Sequence, residues 1–544
     1  MRYRILGFHY RVLMRVALLV AASATLGGAW IGTVGTAHAQ PERPLRLVMN
    51  TELQVLDPHL TPAYVTRSFG YMVYDTLIAM DGAGGYRPQM LEGWQVSDDR
   101  LTWSFRLRPG LEWHDGTPVT AEDCVQSLRR WGNNDGLGRQ LLAATREFRV
   151  VNATTFVLEL ARPFSQVIEA LGKSAPYVPF MMPARLAVQP AARQVTEVMG
   201  SGPFIFRREE WRPGDRVVFH RNPRYRPRAE PADGLAGGKV VHIERAEFVS
   251  LPDAAVRASA LQAGEVDYLE YAPLDFVERF QRNRNLVVMP RTGLGEIMGG
   301  LIVNNLQPPF NNRGVRRALQ LALDHDEIVA GLGLPREMTR GQCLSIYMCG
   351  GPFSTEAGAD RLRRPNAEQA RAALREAGYA GERTVLLHSV DSALINPIAL
   401  VVAEQMRRAG FNLDMASNDF STLAQRRTNR EPVERGGWSA MPLVWNGLDL
   451  ANPLANYATA YNCTNSYPGW YCDPDMTSLL QAFALEPDVE RQRMIAADIQ
   501  VRVHENGGIL FLGQFSPPAA YRATLQGVLK GAFPVLWNIR RGAG

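Results

Sequence analysis

Lysine is nearly missing from this chain of 544 residues: Lys173, Lys239 and Lys530 are the only three among 59 basic side chains. The rest are arginine, and no block of five or six like charges gathers them into an arm or stripe. The formal excess of +5 is therefore compositional and does not point to nucleic acid. Cysteine is scarce as well, at five residues, which excludes a small disulfide scaffold. Beyond the first 39 residues, no window has the ~20 strongly apolar positions that a membrane-spanning helix needs. Local catalytic signatures are also missing. None of the nine histidines stands in HxH, HxxxH or HExxH, so no metal site is expected. There is no GxSxG elbow and no GxxxxGK[ST] phosphate loop. Gly293, Gly295 and Gly299 are spaced GxGxxxG, which departs from the dinucleotide fingerprint, and they read as a loop segment. Trp113-His114-Asp115-Gly116 reads as a turn, since adjacent residues at an Asp-Gly corner rarely face each other. No catalytic residue and no cofactor is expected. A triad assembled from distant residues leaves no local trace, so a secreted hydrolase or peptidase stays open as the alternative.

What is present describes an exported, globular protein. Hydrophobic residues make up 46% and charged residues 21%, enough for two to four domains at roughly 100–200 residues each. Residues 1–39 have the layout of a signal peptide. Arg2, Arg4, Arg11 and Arg15 precede the apolar run Val16–Ala24, and Ala37-His38-Ala39 is a small-x-small cleavage site. Cleavage after Ala39 removes four arginines and no acid, which leaves 55 basic against 54 acidic residues, a net +1. The expected location is the periplasm. The cysteines fit an oxidising compartment: Cys343 and Cys349 are six positions apart, Cys463 and Cys472 nine apart, and either loop could close as a disulfide. Cys124 is left over and shares a helical face with Leu128 and Trp131, so it reads as a buried thiol.

Leu45, Leu47 and Met49 alternate as in a strand, and Leu101, Trp103, Phe105 and Leu107 do so strictly. Thr120 and Asp123 form an acidic capping box ahead of a helix. Gly202–Arg221 reads as a hairpin turning at Arg212–Asp215. Thereafter helices and strands alternate: Asp253 to Gly264 bracket a helix, Asn311 and Asp324 start two more, and Asn366 a fourth. Thr384–Val390, Asn396–Ala409 and Phe411–Met415 make a βαβ-like unit. The fold class is α/β with more than one lobe.

Seven segments in order then carry a resemblance: LDPH (Leu56–His59), YDTL (Tyr74–Leu77), LTWSFRLRPGLEWHDGTPVTAED (Leu101–Asp123), GSGPF…RNPRY (Gly200–Tyr225), LQAGEVD (Leu261–Asp267), VNNLQPPFNNRGVRRALQLALDHDEI (Val303–Ile328) and DLANP (Asp449–Pro453). The chain resembles bacterial extracellular solute-binding protein family 5, the dipeptide/oligopeptide-binding receptors of ABC importers. The resemblance implies a two-lobed periplasmic-binding-protein fold with a hinge and a β-rich subdomain inserted in the first lobe. Lobe I would comprise 40–72, 204–290 and 512–544, the insert 73–203, and lobe II 291–511. It implies a monomer that captures a small solute, most readily a short peptide, and delivers it to the transmembrane permease subunits. A non-peptide cargo such as an oligosaccharide, a metal chelate or an opine-like compound is the alternative on the same fold.

The segment Trp438–Pro453 is the implied ligand loop. Family peptide binders hold the ligand's α-amino group with an Asp four residues before such a Pro, the slot of Asp449. Two roles are open to Asp449: direct contact with an ammonium, or bracing of the loop. The family pattern has Trp three residues before this Asp, whereas here Asn446 stands there and Trp445 lies one earlier. Asn446 is a candidate for the pocket floor, and Trp445 and Trp438 are candidate stacking surfaces, with a place in the core as the other reading of both tryptophans. Tyr71, the Asn50–Asp57 loop and Gln514–Phe515 are candidates for the opposing wall, on positional grounds.

Overall fold

The computed structural model describes residues 43–459 and 467–542. Its backbone is organised around three sheets. The first has seven strands in the order Leu286–Met289, Ala519–Arg522, Tyr268–Leu269, Leu45–Val48, Arg245–Val249, Arg216–Arg221 and Phe204–Phe206. Leu45–Val48 runs parallel to both neighbours, with Leu45 opposite Ala246 and Leu47 opposite Tyr268, so this sheet collects the start, middle and end of the chain. The second sheet has six strands, Thr339–Arg340, Ile509–Phe515, Ile297–Val303, Ala440–Asn446, Thr384–Ser389 and Leu413–Asn418. Its two strands Ile297–Val303 and Ile509–Phe515 are buried at every position, as befits strands covered on both faces. The third, of four strands, joins Leu91–Val96, Thr102–Leu107, Thr155–Leu160 and Thr145–Asn152 in antiparallel order.

Local sequence explains most of these elements. In Thr102–Leu107 the inward positions Trp103, Phe105 and Leu107 are buried while Thr102 and Arg106 face solvent. The capping box forms: Thr120 Oγ1 accepts from the Asp123 N–H and Asp123 Oδ2 accepts from the Thr120 N–H, starting the helix Ala121–Asn134. Cys124, Leu128 and Trp131 on that helix are buried, and Cys124 is a free thiol. Asp253 caps Ala254–Ala263, which Gly264 ends in the left-handed region at φ 77°. The βαβ-like unit is present, with Thr384–Ser389 parallel to Leu413–Asn418 across the helix Ile395–Ala409. Asn312, not Asn311, caps Arg313–Ala322: its Oδ1 accepts from the Gly314 N–H at 2.8 Å, while Asn311 lies one residue earlier, in the turn closed by its N–H on the Gln307 carbonyl. Gly299 lies inside the central strand Ile297–Val303 and not in a loop; only Gly293–Gly295 form a turn. His114 and Asp115 face different partners: the His114 ring lies 3.4 Å from the Gly202 carbonyl and Asp115 accepts from Thr117.

The chain passes between the seven- and six-stranded sheets at 290–296 and again at 516–518. The expected boundary at 511/512 falls inside the strand Ile509–Phe515, which pairs within the six-stranded sheet. The two crossings touch, since Ser516 Oγ donates to the Arg291 carbonyl at 2.8 Å. Cys343 and Cys349 are bonded to each other, with Cα atoms 5.9 Å apart. Cys472 is disulfide-bonded, and Cys463 lies outside the described residues, as do residues 1–39. Among the described residues no helix is long and apolar enough to cross a membrane, and no group of His, Cys, Asp or Glu could hold a metal ion.

Candidate ligand-binding site

Asp449 stands where the strand Ala440–Asn446 gives way to the four-residue helix Gly447–Leu450. Asn446 caps that turn, its Oδ1 accepting from the Leu448 N–H at 3.2 Å. The turn is held from below. The Gly447 N–H donates to the Glu296 carbonyl at 2.9 Å. A Cβ at Gly447 would lie 2.7 Å from Met348 and 2.8 Å from the Leu294 backbone, so the close approach requires glycine. Met348 belongs to the disulfide loop, and buried Gln514 ties that loop down: its Oε1 accepts from the Cys349 N–H at 2.8 Å and its Nε2 donates to Glu296.

From the other sheet's side comes the helix Tyr64–Val73, which follows the first strand of the seven-stranded sheet. Its first residue reaches across: Tyr64 Oη donates to Asp449 Oδ2 and accepts from the Asn446 N–H at 3.0 Å. Asp449 is fully buried, and its second oxygen, Oδ1, has no partner; the Nδ2 of equally buried Asn446 has none either. Burial raises the Asp449 carboxyl above its ordinary range, an effect that the Tyr64 hydroxyl and the charge of Arg67 oppose. Tyr64 is itself pushed well up by burial and by the Asp449 charge. A buried carboxylate oxygen without a donor costs about 1–3 kcal/mol or more, so this arrangement suits a cation that arrives from outside.

Other expected residues are distributed differently. Trp445 lies over Gly300, where a Cβ would come within 1.9 Å of its ring, and it stacks on Tyr457 at 5.9 Å. Burial, and then the Asp449 charge, push the Tyr457 hydroxyl well up. Trp438 lies two residues ahead of the strand Ala440–Asn446, at the opposite end from Asn446, and packs against Trp470 in the core. Tyr71 stacks on Phe533 at 5.2 Å, behind the ring that Arg67 covers. Phe515 is fully buried in the core beneath the six-stranded sheet, while its neighbour Gln514 braces the ligand turn. Sequence reasoning did not single out Tyr64, Arg67 or Phe533. One signal was available: Arg67 is the only charged residue in the stretch YVTRSFGYMV (Tyr64–Val73), and in the structure every residue from Val65 to Val73 is buried, an unusual place for a guanidinium.

The model of bacterial extracellular solute-binding proteins, family 5 Middle, matches residues 85–468. The chain belongs to that family. This solute-binding protein is 32% identical over 530 residues to the Probable peptide ABC transporter periplasmic-binding protein y4tO of Sinorhizobium fredii, covering 96% of this chain and 98% of the other. Its fold is similar to that of a dipeptide-binding protein from Pseudoalteromonas sp. SM9913 in complex with Met-Leu. The TM-score there is 0.76 at 18% identity, over 92% of this chain and 100% of the other. It is also similar to MoaA from A. tumefaciens R10 in complex with mannopinic acid, with a TM-score of 0.77 at 19% identity over 92% and 99%. The family 5 fold is the two-lobed periplasmic-binding-protein fold, and its members are solute-binding receptors.

Proposed function

We propose that this family 5 protein is the periplasmic receptor of an ABC importer, closing around a short peptide and presenting it to the membrane permease as a monomer. Residues 1–39 act as its export signal. The seven-stranded sheet with the four-stranded insert forms one lobe, the six-stranded sheet the other, and the crossings at 290–296 and 516–518 form the hinge. The observation that carries the reading is Asp449: a carboxylate shut away from water, one oxygen held across the cleft by Tyr64 and the other unpartnered. An α-ammonium on Oδ1 makes a charge-assisted hydrogen bond, about 1.5–3 kcal/mol net. Micromolar affinity needs about 8 kcal/mol, so burial and further polar contacts supply the remainder. Closure follows from such contacts, because only differential affinity for the closed state shifts the equilibrium.

Native mass spectrometry of protein purified from its own periplasm tests this. A co-purifying peptide, released chemically unchanged on denaturation, is expected. Cleaved products accumulating with time support the hydrolase alternative, and a co-purifying sugar or chelate overturns the peptide assignment.

A further inference from the structure

Cys343 and Cys349 close the segment CLSIYMC into a loop whose two halves are held differently. Hydrogen bonds fix the first half. The Cys343 N–H donates to the Arg340 carbonyl at 3.1 Å, and Arg340 stands opposite Gln514 in the six-stranded sheet. Ser345 Oγ and the Ile346 N–H both donate to Gln500 Oε1, at 2.9 and 3.1 Å, and His504 Nε2 lies 3.0 Å from the Leu344 carbonyl. Gln500 and His504 belong to the helix Val489–Asn506, which thereby places this half. The second half has Tyr347 Oη on the Ala496 carbonyl at 3.2 Å and the Cys349 N–H on Gln514. Beyond it the chain enters Gly350-Gly351, where the Gly351 N–H closes a turn on the Met348 carbonyl and Gly350 is left-handed at φ 83°. Two successive glycines lend little stiffness to the residues before them. The Sγ–Sγ bond is therefore the covalent tie between Met348–Cys349 and the sheet edge at Arg340.

This loop meets both ends of the ligand turn Gly447–Leu450. At the start, Met348 lies so close to Gly447 that a Cβ there would be 2.7 Å from Met348 Cγ. At the end, Asn456 Nδ2 donates to the Ile346 carbonyl at 3.0 Å and to the Leu450 carbonyl at 3.2 Å, joining loop and turn through one amide. Asp449 stands between these two points of support. A binding group works only while its surroundings hold it within about 0.5 Å of its productive position.

We propose that the Cys343–Cys349 bond is a positioning element of the ligand site: it locks Met348 and Ile346 under the turn that carries Asp449, and the receptor reaches full affinity only with this bond closed. This rests on the reading of Asp449 as the partner of the ligand's ammonium, and it makes that site dependent on the redox state of its compartment. Opening the bond takes two electrons and two protons from a dithiol, which becomes a disulfide, and leaves two thiols on the chain.

The test compares the mature protein with Cys343→Ala/Cys349→Ala, which spares the separate disulfide of Cys472. The probe is an equimolar pool of free-acid peptides, dipeptides to pentapeptides. Species captured by the wild type are identified by mass spectrometry, and the best of them is titrated calorimetrically. Backbone amide exchange over Asn446–Leu450 is followed without ligand. In the variant the same peptide should bind about fivefold or more weakly, and exchange over the turn should quicken by a similar factor. Dithiothreitol, with the thiols counted, should weaken the wild type at least as far, and reoxidation should restore it. Met348→Ala, with the bond intact, should weaken binding about threefold, and Met348→Leu should return it to within about twofold of the wild type. That pair decides should the cysteine variant fail to fold, and equal affinity of Met348→Ala then overturns the proposal. A cysteine variant that unfolds at lower urea, yet binds and exchanges as the wild type does, makes the bond a staple of the fold alone and also overturns it. Capture of no peptide by the wild type sinks the receptor reading instead, and amide exchange then decides: an unchanged rate over the turn in the variant overturns the positioning role.

Discussion

Asp57 and Asp449 are both withdrawn from solvent, at 1% and 0% exposure, yet their surroundings are built to different ends. Asp57 has both oxygens occupied: Oδ1 accepts from the His59 N–H, and Oδ2 from Arg130 at 2.6 Å and the Val195 N–H at 2.9 Å. Asp75 is similar, with Lys239 and Thr76 on one oxygen and Tyr225 on the other. Asp57 ties the loop after Leu45–Val48 to the helix Ala121–Asn134 and to Val195, and Asp75 ties the end of the helix Tyr64–Val73 to Tyr225 and Lys239. Asp449 is left with half its capacity unused, and Arg67 and Asn446 beside it likewise. A protein that only needed stability would fill such places with partners or apolar side chains. Asp57 and Asp75 spend both oxygens on holding parts of the fold together, whereas Asp449 keeps one oxygen without a partner.

Acid is the harshest way to separate the two regions. His59, His114, His325 and His504 are each lowered by burial from 6.5 to about 4, and none of the four is a candidate ligand contact. Between those values the unfolded chain binds protons that the folded chain refuses. Stability is full above pH ~6.5 and falls as pH drops towards about 4, by about 1.4 kcal/mol per pH unit for each histidine. Urea midpoints measured across this window should decline together; a flat profile contradicts the buried-histidine account. Breaking a matched pair comes next. Arg130→Ala leaves buried Asp57 charged without its counter-ion, at a cost of about 3–5 kcal/mol in denaturant unfolding with little change in ligand affinity in the surviving fold.

Asp449→Asn should do the reverse. Ligand affinity falls at least about tenfold by calorimetry, while the melting temperature of the unliganded protein barely moves, since the carboxylate was costly to bury. Equal affinity in the variant would remove Asp449 from the site. The mildest change is Tyr64→Phe, which deletes the hydroxyl linking the two sides and should shift the unliganded protein towards the open form by about 1 kcal/mol. Small-angle scattering would register this as a larger radius of gyration without ligand and an unchanged one with it.

Much of this was legible beforehand because it is local. The Thr120–Asp123 box, the Gly264 stop, the alternation of Trp103, Phe105 and Leu107 and the corner at Trp113–Gly116 depend on neighbours within a few residues. The site was half legible. Asp449 and Asn446 could be placed from the family pattern of one loop. Trp438 and Phe515 looked equivalent to them along the chain, because an aromatic residue carries the same letter whether it lines a cleft or fills a core. Strand geometry separates them: Trp438 precedes the strand that Asn446 ends, with the seven residues Ala440–Asn446 running away from it, and Phe515 and Gln514 point to opposite faces of theirs.

The sequence by itself determined the family, the α/β elements and the near-neutral balance of residues 40–544, since these follow from residue type and short-range spacing. Only the tertiary structure decided which residues meet across the cleft. Tyr64 and Asp449 are 385 positions apart, and nothing short of two sheets assembled from interleaved stretches of chain could bring the hydroxyl of one to the carboxylate of the other. The same long-range packing decided that both oxygens of Asp57 are paired and that one oxygen of Asp449 is left open.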